Sequence, residues 1–234
     1  DPDKVVMGSN MSANLGQCVR EILAHEARPS AVLINGDLAL SDGQLGDYTR
    51  LVKLLSPLVQ SNVPVHMTLG NHDSRERFYR GALSVDRVET PVENRYAAFV
   101  STPRANWFLL DSLLRTLTDV HGAIGEAQLQ WLGKQLDAHA DKPAIVYVHH
   151  HPQWEIAEGK TSSGLTDAAA LFDMLVERKH VKAYINGHVH HWGLGKKEGI
   201  HIIHLPATSY VNDSEKMVLG WVLARVEKNG IELT

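Results

Sequence analysis

The sequence has few of the features that mark several large classes of protein. It contains one cysteine, Cys18, so neither an internal disulfide nor a cysteine-based zinc site can form within it. No apolar run reaches the roughly 18 residues that a membrane-spanning helix needs. Lysine and arginine are scattered and the formal net charge is −4, so the basic stripe of a nucleic-acid binder is missing. We therefore expect no membrane span and no nucleic-acid partner.

Composition is otherwise that of an ordinary globular protein. Hydrophobic residues make up 44% and charged residues 21% of the 234, which is enough for a sizeable core. Proline and glycine are dispersed and no linker separates two cores, so a single domain over residues 1–234 is predicted. No signal peptide is recognisable, which favours a cytoplasmic location. Export stays open, because the chain starts at Asp1 without a methionine.

Hydrophobic patterns alternate between strand and helix along most of the chain. Continuous apolar runs predict buried strands over 31–34, 63–69, 107–110, 144–148 and 181–185. Helical spacing predicts helices over 14–25, 48–59, 75–83, 126–138 and 167–178. Residues 200–204 and 218–225 alternate as antiparallel strands, with a hairpin at 228–230. This order predicts an α/β architecture with sheet between helices.

Four short segments place possible metal ligands directly after four predicted strands. They are Asn35-Gly36-Asp37, Gly70-Asn71-His72-Asp73, His149-His150-His151-Pro152 and Gly187-His188-Val189-His190. Seven of the 14 histidines fall inside or beside these segments. Ligand sites in open α/β sheets lie at the carboxyl ends of the strands, so the fold would bring the segments together. Carboxylate, amide and imidazole ligands suit one or two divalent metals.

Register decides which histidines face the metals. His188 and His190 are two residues apart, so on an extended segment both point to the same side. His150 is the expected ligand of the third segment, and His149 is the adjacent competitor, since a register read from sequence can slip by one. The remaining neighbours are expected as substrate contacts or supports of the ligands. They are His149, His151, His191 and His204.

These four segments, in this order, resemble the calcineurin-like metallophosphoesterase superfamily. Its pattern is Asp-x-His, Gly-Asp, Gly-Asn-His-Asp/Glu, a His before Pro, and Gly-His-x-His. Four of the five blocks stand between residues 36 and 190, and the Leu-Pro-Ala-Thr at 205–208 also fits. Within the superfamily, the Gly-Asp-Leu and His-His-Pro forms look most like small cyclic-nucleotide and glycerophosphodiester phosphodiesterases. The resemblance implies a four-layer α/β/β/α sandwich, with two mixed sheets flanked by helices.

The resemblance also implies a hydrolase of small phosphoesters that uses a hydroxide held by two divalent metals, Mn, Fe, Zn or Co. Asp37 would bridge the two metals. The residues Asn71, His150 and His188 would bind one metal, and His190 would bind the other. His72 would steady the phosphate and protonate the leaving oxygen, with Asp73 orienting His72.

The fifth block, Asp-x-His on the first strand, is absent from the sequence. Asp1-Pro2-Asp3 lacks the histidine, and Val5-Val6-Met7 is followed by Gly8-Ser9-Asn10. One interpretation places a first strand with the missing block upstream of Asp1. The other is a metal-deficient member of the fold that serves as a binding or scaffold module. The three histidines favour the enzyme, because buried imidazoles at strand ends have no physical purpose without metal. The sequence does not identify the substrate or the oligomeric state.

Overall fold

The computed structural model describes residues 3–83, 90–114, 120–156, 158, 161–211 and 218–234. The helices are α1 (Met11–Ala24), α2 (Leu45–Gln60), α3 (Arg75–Ala82), α4 (Glu126–Ala138) and α5 (Ala168–Val176). The first six strands are β1 (Val5–Val6), β2 (Ser9–Asn10), β3 (Val32–Ile34), β4 (Val65–Met67), β5 (Ala98–Ser101) and β6 (Asn106–Leu109). The others are β7 (Ala144–Tyr147), β8 (Val181–Asn186), β9 (Gly193–Lys197), β10 (Ile200–His204), β11 (Ala224–Val226) and β12 (Ile231–Leu233).

The largest sheet has six strands in the order β5-β6-β7-β8-β10-β9. Its four inner strands are parallel, and β5 and β9 run antiparallel at the two edges. Three inner strands, β6, β7 and β8, are apolar runs that the sequence analysis predicted, because a strand covered on both faces needs no polar side. The fourth, β10, was predicted as an alternating antiparallel strand; it pairs antiparallel with β9 but parallel with β8. Both edge strands were missed. β9 reads Gly-Leu-Gly-Lys-Lys, which has neither an apolar run nor a regular alternation.

The six-stranded sheet is covered differently on its two faces. Val146 and Val148 face a core formed with α4 and α5. Ile145 and Tyr147 face the opposite way, towards Leu33 of β3 and the β11–β12 hairpin. Helices α1 and α2 then cover the outer face of β3 and β4. The layers are therefore helix, sheet, sheet and helix, as the family resemblance implied.

The second sheet layer consists of two separate pieces in the described part of the chain. β3 and β4 form a parallel pair, and β11 and β12 form an antiparallel hairpin. The hairpin turn at 228–230 is confirmed, but the strand predicted over 218–225 begins only at Ala224. A cavity of about 560 Å³ is lined by residues of β3 on one side and of the 220–226 segment on the other. We call this space the central groove.

The walls of the central groove are mainly apolar. Val19 and Ile22 of α1 and Trp107, Tyr147 and Ile185 of the six-stranded sheet line it. Its polar end is formed by the ligand segments. The pair Val5–Val6, which the sequence analysis considered as a first strand, lies elsewhere, in a small hairpin with β2, and Val5 is 61% exposed.

Helix α3 is anchored to the six-stranded sheet by a buried ion pair. Arg75 donates from Nε and Nη2 to the two carboxylate oxygens of Asp111, at 2.5 and 2.9 Å, and also bonds the carbonyl of Leu113. Asp111 is fully buried just after β6. Arg75 therefore has a structural contact in place of the solvent-facing position that is usual for such an arginine. None of the helices in the described part of the chain has the length and apolarity that crossing a membrane requires.

Candidate metal centre

The first ligand segment leaves β3 through a sharp left-handed turn. Gly36 and Asp37 have φ angles of 60° and 47°. A Cβ atom on Gly36 would lie 2.4 Å from Nδ1 of His149, so only glycine fits between the turn and this imidazole. Asp37 itself holds a backbone angle that L-residues avoid, a type of strain that clusters at functional sites.

The second ligand segment is held against the first by backbone hydrogen bonds. His72 N–H donates to Oδ1 of Asp37 at 3.1 Å. In the other direction, Leu38 N–H donates to Oδ2 of Asp73 at 3.1 Å. A Cβ on Gly70 would lie 2.2 Å from the Asp37 carboxylate, which explains the glycine there. Each turn therefore supplies a carboxylate to the backbone of the other.

Four ligand-type side chains meet at the ends of the strands. Oδ2 of Asp37 lies 3.2 Å from Nε2 of His149. The same nitrogen lies 3.3 Å from Nδ1 of His188, which is 3.0 Å from Oδ1 of Asn71. The ligand atoms of Asp37, His149 and His188 all lie within 4.8 Å of one another, a spacing that one metal ion can span.

Nε2 of His149 lies in this group, whereas the sequence analysis expected His150 as the ligand of the third segment; which of the two binds metal stays a prediction. The position of His149 follows from the alternation of β7. Ile145 and Tyr147 face the second sheet layer, so the next odd-numbered side chain, His149, also points to that side. His150 continues the face of Val146 and Val148 instead. The choice between the two histidines needed the direction of one buried face, which the continuous apolar run from Ala144 to Val148 does not reveal.

His150 nevertheless lies next to the cluster. Its ring centroid is 4.7 Å from that of His188, and the side chain is fully buried. Nδ1 of His150 is 2.7 Å from the hydroxyl oxygen of Ser112, and Nε2 is buried without a hydrogen-bond partner in the described part of the chain. A buried imidazole nitrogen without a partner is costly, and an ion is one of the few things that would satisfy it.

The fourth segment is not extended, so the argument that placed His188 and His190 on one side does not apply. Both residues adopt left-handed φ angles, 65° and 53°. His188 joins the group of three, whereas His190 lies outside it. Nδ1 of His190 donates to the carbonyl of Tyr210 at 2.8 Å. This bond fixes the tautomer and leaves Nε2 with a lone pair, as in metal-binding histidines.

The expected partnership of His72 and Asp73 is absent from their described contacts. Nδ1 of His72 lies 2.8 Å from the carbonyl oxygen of Ser41, so a backbone group orients the ring. Asp73 instead accepts from Gly70, Leu38 and Tyr48. Asp73 therefore supports the two ligand turns, and the signal that would have shown this, Tyr48 on α2, is 25 residues away in sequence.

Electrostatics favour a cation at the cluster. Burial acts to raise the pKa of Asp37, but His149 and His72 outweigh burial and hold that pKa below its usual value. Burial lowers the pKa of His188 to about 3, so this imidazole is neutral and carries a lone pair at ordinary pH. Burial acts to lower the pKa of His149, but Asp37 outweighs burial and raises that pKa, so a metal ion would have to displace a proton from this imidazole. A carboxylate, two imidazoles and an amide oxygen converge at the cluster. This donor set fits a divalent metal of the Mn, Fe, Co or Zn type.

Comparison with known proteins agrees with this geometry. The family model described as calcineurin-like phosphoesterase matches residues 10–192. The chain belongs to this family. The matched region contains all four ligand segments, and His204 lies beyond it.

Relatives of the family include curated enzymes and solved structures. The chain is 29% identical over 187 residues to the 3',5'-cyclic adenosine monophosphate phosphodiesterase CpdA of Pseudomonas aeruginosa, covering 79% of this chain and 63% of the relative. It is 29% identical over 178 residues to a probable glycerophosphodiester phosphodiesterase GpdQ of Arcobacter nitrofigilis, covering 75% and 62%. A dimetal phosphatase from Danio rerio has the same fold, with a TM-score of 0.68, 18% identity and coverage of 96% and 84%. The chain thus spans a little under two thirds of the two curated relatives.

Three other histidines lie beside the ligands. The ring of His151 stacks on that of His188 at 5.7 Å, and the rings of His191 and His204 are 5.5 Å apart. His204 Nδ1 lies 2.8 Å from Oδ1 of Asn186, which fixes its orientation. The sequence analysis expected these residues near the site, and the structure brings His151 into contact with a ligand. Whether any of them touches substrate stays a prediction.

Proposed function

We propose that this chain is a metal-dependent hydrolase of small phosphoesters. The observation that carries the proposal is the convergence of Asp37, His149 and His188 on one point, with Asn71 beside them. Divalent metals at such a point supply positive charge for the phosphate oxygens and lower the pKa of the attacking water. Family membership supports the same chemistry.

The side chains around this point have distinct roles in the proposal. Asp37, Asn71, His149 and His188 hold the metal, and glycines in the turns let the backbone approach Asp37 and His149 closely. His150 and His190 are the further imidazoles that metal binding would engage. His72, whose Nδ1 is held by the Ser41 carbonyl, presents Nε2 as the atom that steadies the phosphate and passes a proton to the leaving oxygen.

We propose phosphodiesters as the substrate class. The curated relatives named above are called cyclic adenosine monophosphate and glycerophosphodiester phosphodiesterases. Both names describe small diesters, in agreement with the Gly-Asp-Leu and His-His-Pro forms of this sequence. The segments expected to choose the substrate, 74–95, 112–124 and 152–166, include positions outside the described residues. The preference for a particular diester, the absence of a nucleic-acid partner and the cytoplasmic location stay predictions.

A second metal forms part of the proposal and requires further ligands. The central groove contains an edge of β3 along which an additional strand can pair, and that strand would carry the Asp-x-His ligands. Along β3, the carbonyl of Leu33 accepts from the Tyr147 hydroxyl at 3.2 Å, and that of Asn35 lies 3.0 Å from Nδ1 of His149. These carbonyls are two residues apart and point to the same side of β3. Hydrogen-bond acceptors have this arrangement along a strand edge that can pair with another strand. Side chains of the six-stranded sheet bond them instead.

Metal analysis and hydrolysis assays test the main proposal. The chain is loaded with Mn²⁺ or Zn²⁺, its bound metal is counted, and turnover of bis(p-nitrophenyl) phosphate, p-nitrophenyl phosphate and 3',5'-cyclic AMP is measured. We expect bound metal and faster hydrolysis of the diesters. His201→Gln, an exposed change on β10, is the control that should alter nothing. Absence of both metal and turnover would leave the scaffold alternative as the better interpretation.

The strand proposal has its own test. Two proteins are compared: residues 1–234 alone, and the same residues preceded by an apolar segment that ends in Asp-x-His. We expect the longer protein to bind two metals and residues 1–234 alone to bind fewer. Chemical footprinting of Trp221, a half-buried residue that lines the groove, should show stronger protection when the strand occupies the groove. Equal metal content and equal protection in the two proteins would contradict the proposal.

A further inference from the structure

Helix α2 reaches the metal centre through one buried hydroxyl. Tyr48 lies in the first turns of α2 and its side chain is fully buried. Its hydroxyl donates to Oδ1 of Asp73 at 3.1 Å and accepts from the N–H of Ser74 at 2.7 Å. The phenol thus bonds the end of the second ligand turn twice, although the residue is in none of the ligand segments.

Asp73 connects Tyr48 to both ligand turns through hydrogen bonds. Its Oδ2 accepts from Gly70 N–H at 2.8 Å within its own turn and from Leu38 N–H at 3.1 Å in the other. Leu38 directly follows Asp37, whose Oδ1 accepts from the N–H of His72. The orientation of the Asp73 carboxylate therefore determines how the turn that carries Asp37 lies against the turn that carries Asn71.

The surroundings leave no room for a substitute donor. Gly43, with φ of 60°, lies so close that a Cβ on it would be 2.4 Å from the Tyr48 hydroxyl oxygen and 2.5 Å from the Ser74 nitrogen. The aromatic ring of Phe78 packs edge-on against the Tyr48 ring at 5.6 Å. A water molecule that replaced the hydroxyl would need space that this packing does not provide. Loss of the hydroxyl would remove the bond that Oδ1 of Asp73 accepts and the bond that the N–H of Ser74 donates.

We propose that Tyr48 is a positioning residue of the metal centre, acting through Asp73 to hold the Asp37 and Asn71 turns at ligand distance. The inference rests on the proposed metal-dependent function. Metal sites lose affinity when the groups that orient their ligands are removed, typically by 10- to 100-fold. The hydroxyl of Tyr48 bonds Asp73 and Ser74 and not a ligand side chain, so we expect it to set metal affinity without taking part in chemistry.

The test compares Tyr48→Phe with Tyr96→Phe. The Tyr96 ring packs on Phe78 at 4.9 Å, so both variants delete one hydroxyl from the same aromatic group. Zn²⁺ and Mn²⁺ affinities are measured by calorimetry, and kcat is measured at saturating metal. We expect Tyr48→Phe to raise the metal Kd about tenfold or more, with kcat largely recovered at saturation, and Tyr96→Phe to leave both unchanged. Equal affinities for the two variants would overturn the inference.

A double-mutant cycle with Asp73→Asn shows whether Tyr48 acts through Asp73. The effect of Tyr48→Phe on metal affinity should shrink in the Asp73→Asn background, because the residue through which it acts is already altered. Fully additive effects would contradict the proposed route. If Tyr48→Phe does not fold, Asp73→Asn alone decides, and an unchanged metal Kd would refute the inference. Failure of the unmodified chain to bind either metal would instead refute the proposed function.

Discussion

His188 is the side chain through which the ligand cluster is connected, since its Nδ1 contacts both Asn71 and His149. We expect His188→Gln to reduce metal affinity by at least 100-fold, because an amide replaces a neutral imidazole at the centre of the donor set. Calorimetric titration with Zn²⁺ measures the change, with His201→Gln as the matched surface control. Similar affinities for the two variants would show that the cluster does not bind the metal.

The pair His149 and His150 gives a second prediction at the scale of residues. Because Nε2 of His149 lies in the cluster, we expect His149→Gln to weaken metal binding more than His150→Gln. His150→Gln should weaken metal binding less and should also lower stability, since the ring fills a buried space against Ser112 and Gly122. Metal Kd and free energy of unfolding are measured for both variants. The reverse order of metal affinities would mean that the Asp-x-His strand or the metal reorients the third segment.

The sequence predicts a site residue when a local pattern is enough to place it, and not when tertiary packing decides its position. Asp37, Asn71 and His188 follow from strand ends and glycine turns, and the structure brings them together. Selecting His149 over His150 needed the direction of a buried strand face, which a continuous apolar run conceals. Tyr48 could not be found from sequence at all, because a tyrosine at helical spacing is indistinguishable from an ordinary core residue.

At the scale of elements, the attachment of α3 to the sheet can be tested through Arg75. Removal of its guanidinium by Arg75→Met leaves the carboxylate of Asp111 buried and unpaired, so we expect a loss of about 3 kcal/mol in the free energy of unfolding. Urea denaturation provides the measurement. Arg80→Met, which opens the exposed pair with Glu76, should cost at most about 0.5 kcal/mol.

A compensating change separates lost charge from lost packing in this experiment. Combining Arg75→Met with Asp111→Asn removes both charges and keeps an acceptor for the N–H groups of Tyr96 and Leu113, and we expect it to recover much of the stability. A double variant as unstable as Arg75→Met alone would show that the geometry of the hydrogen bonds, and not the unpaired charge, is what matters.

Elements with strong periodicity were predicted from sequence, and short edge elements were not. The helices and inner strands follow the apolar patterns within a few residues. β5 and β9 pair at the edges of a sheet whose interior is already specified, so tertiary contact selects them more than their own sequence does. The same reasoning applies to 218–223, where alternation is present but pairing among the described residues is limited to isolated contacts, the bridge of Leu219 to Ala207 and the backbone bonds between Leu223 and Thr234.

For the whole molecule, metal binding and folding should be coupled. The ligands lie on separate segments from Asp37 to His190, so a bound ion stabilises only the folded chain. At a Zn²⁺ concentration 100 times Kd we expect about 2.7 kcal/mol of added stability, or a rise in Tm of roughly 5–10 °C. Thermal unfolding with and without chelator measures it. An equal rise for His188→Gln would mean that the ion binds elsewhere.

The left-handed backbone at Asp37, His188 and His190 has a consequence for anyone who would engineer this protein. Each such angle costs of order 1 kcal/mol for a non-glycine residue, and glycine would relieve it. In a screen for heat resistance with a chelator present, a bound ion adds no stability, so relief of this strain favours glycine at His188 and His190 and selects proteins with weaker metal binding. Each round of selection for thermal stability therefore has to be paired with selection for metal binding, because the two properties favour different residues at these positions.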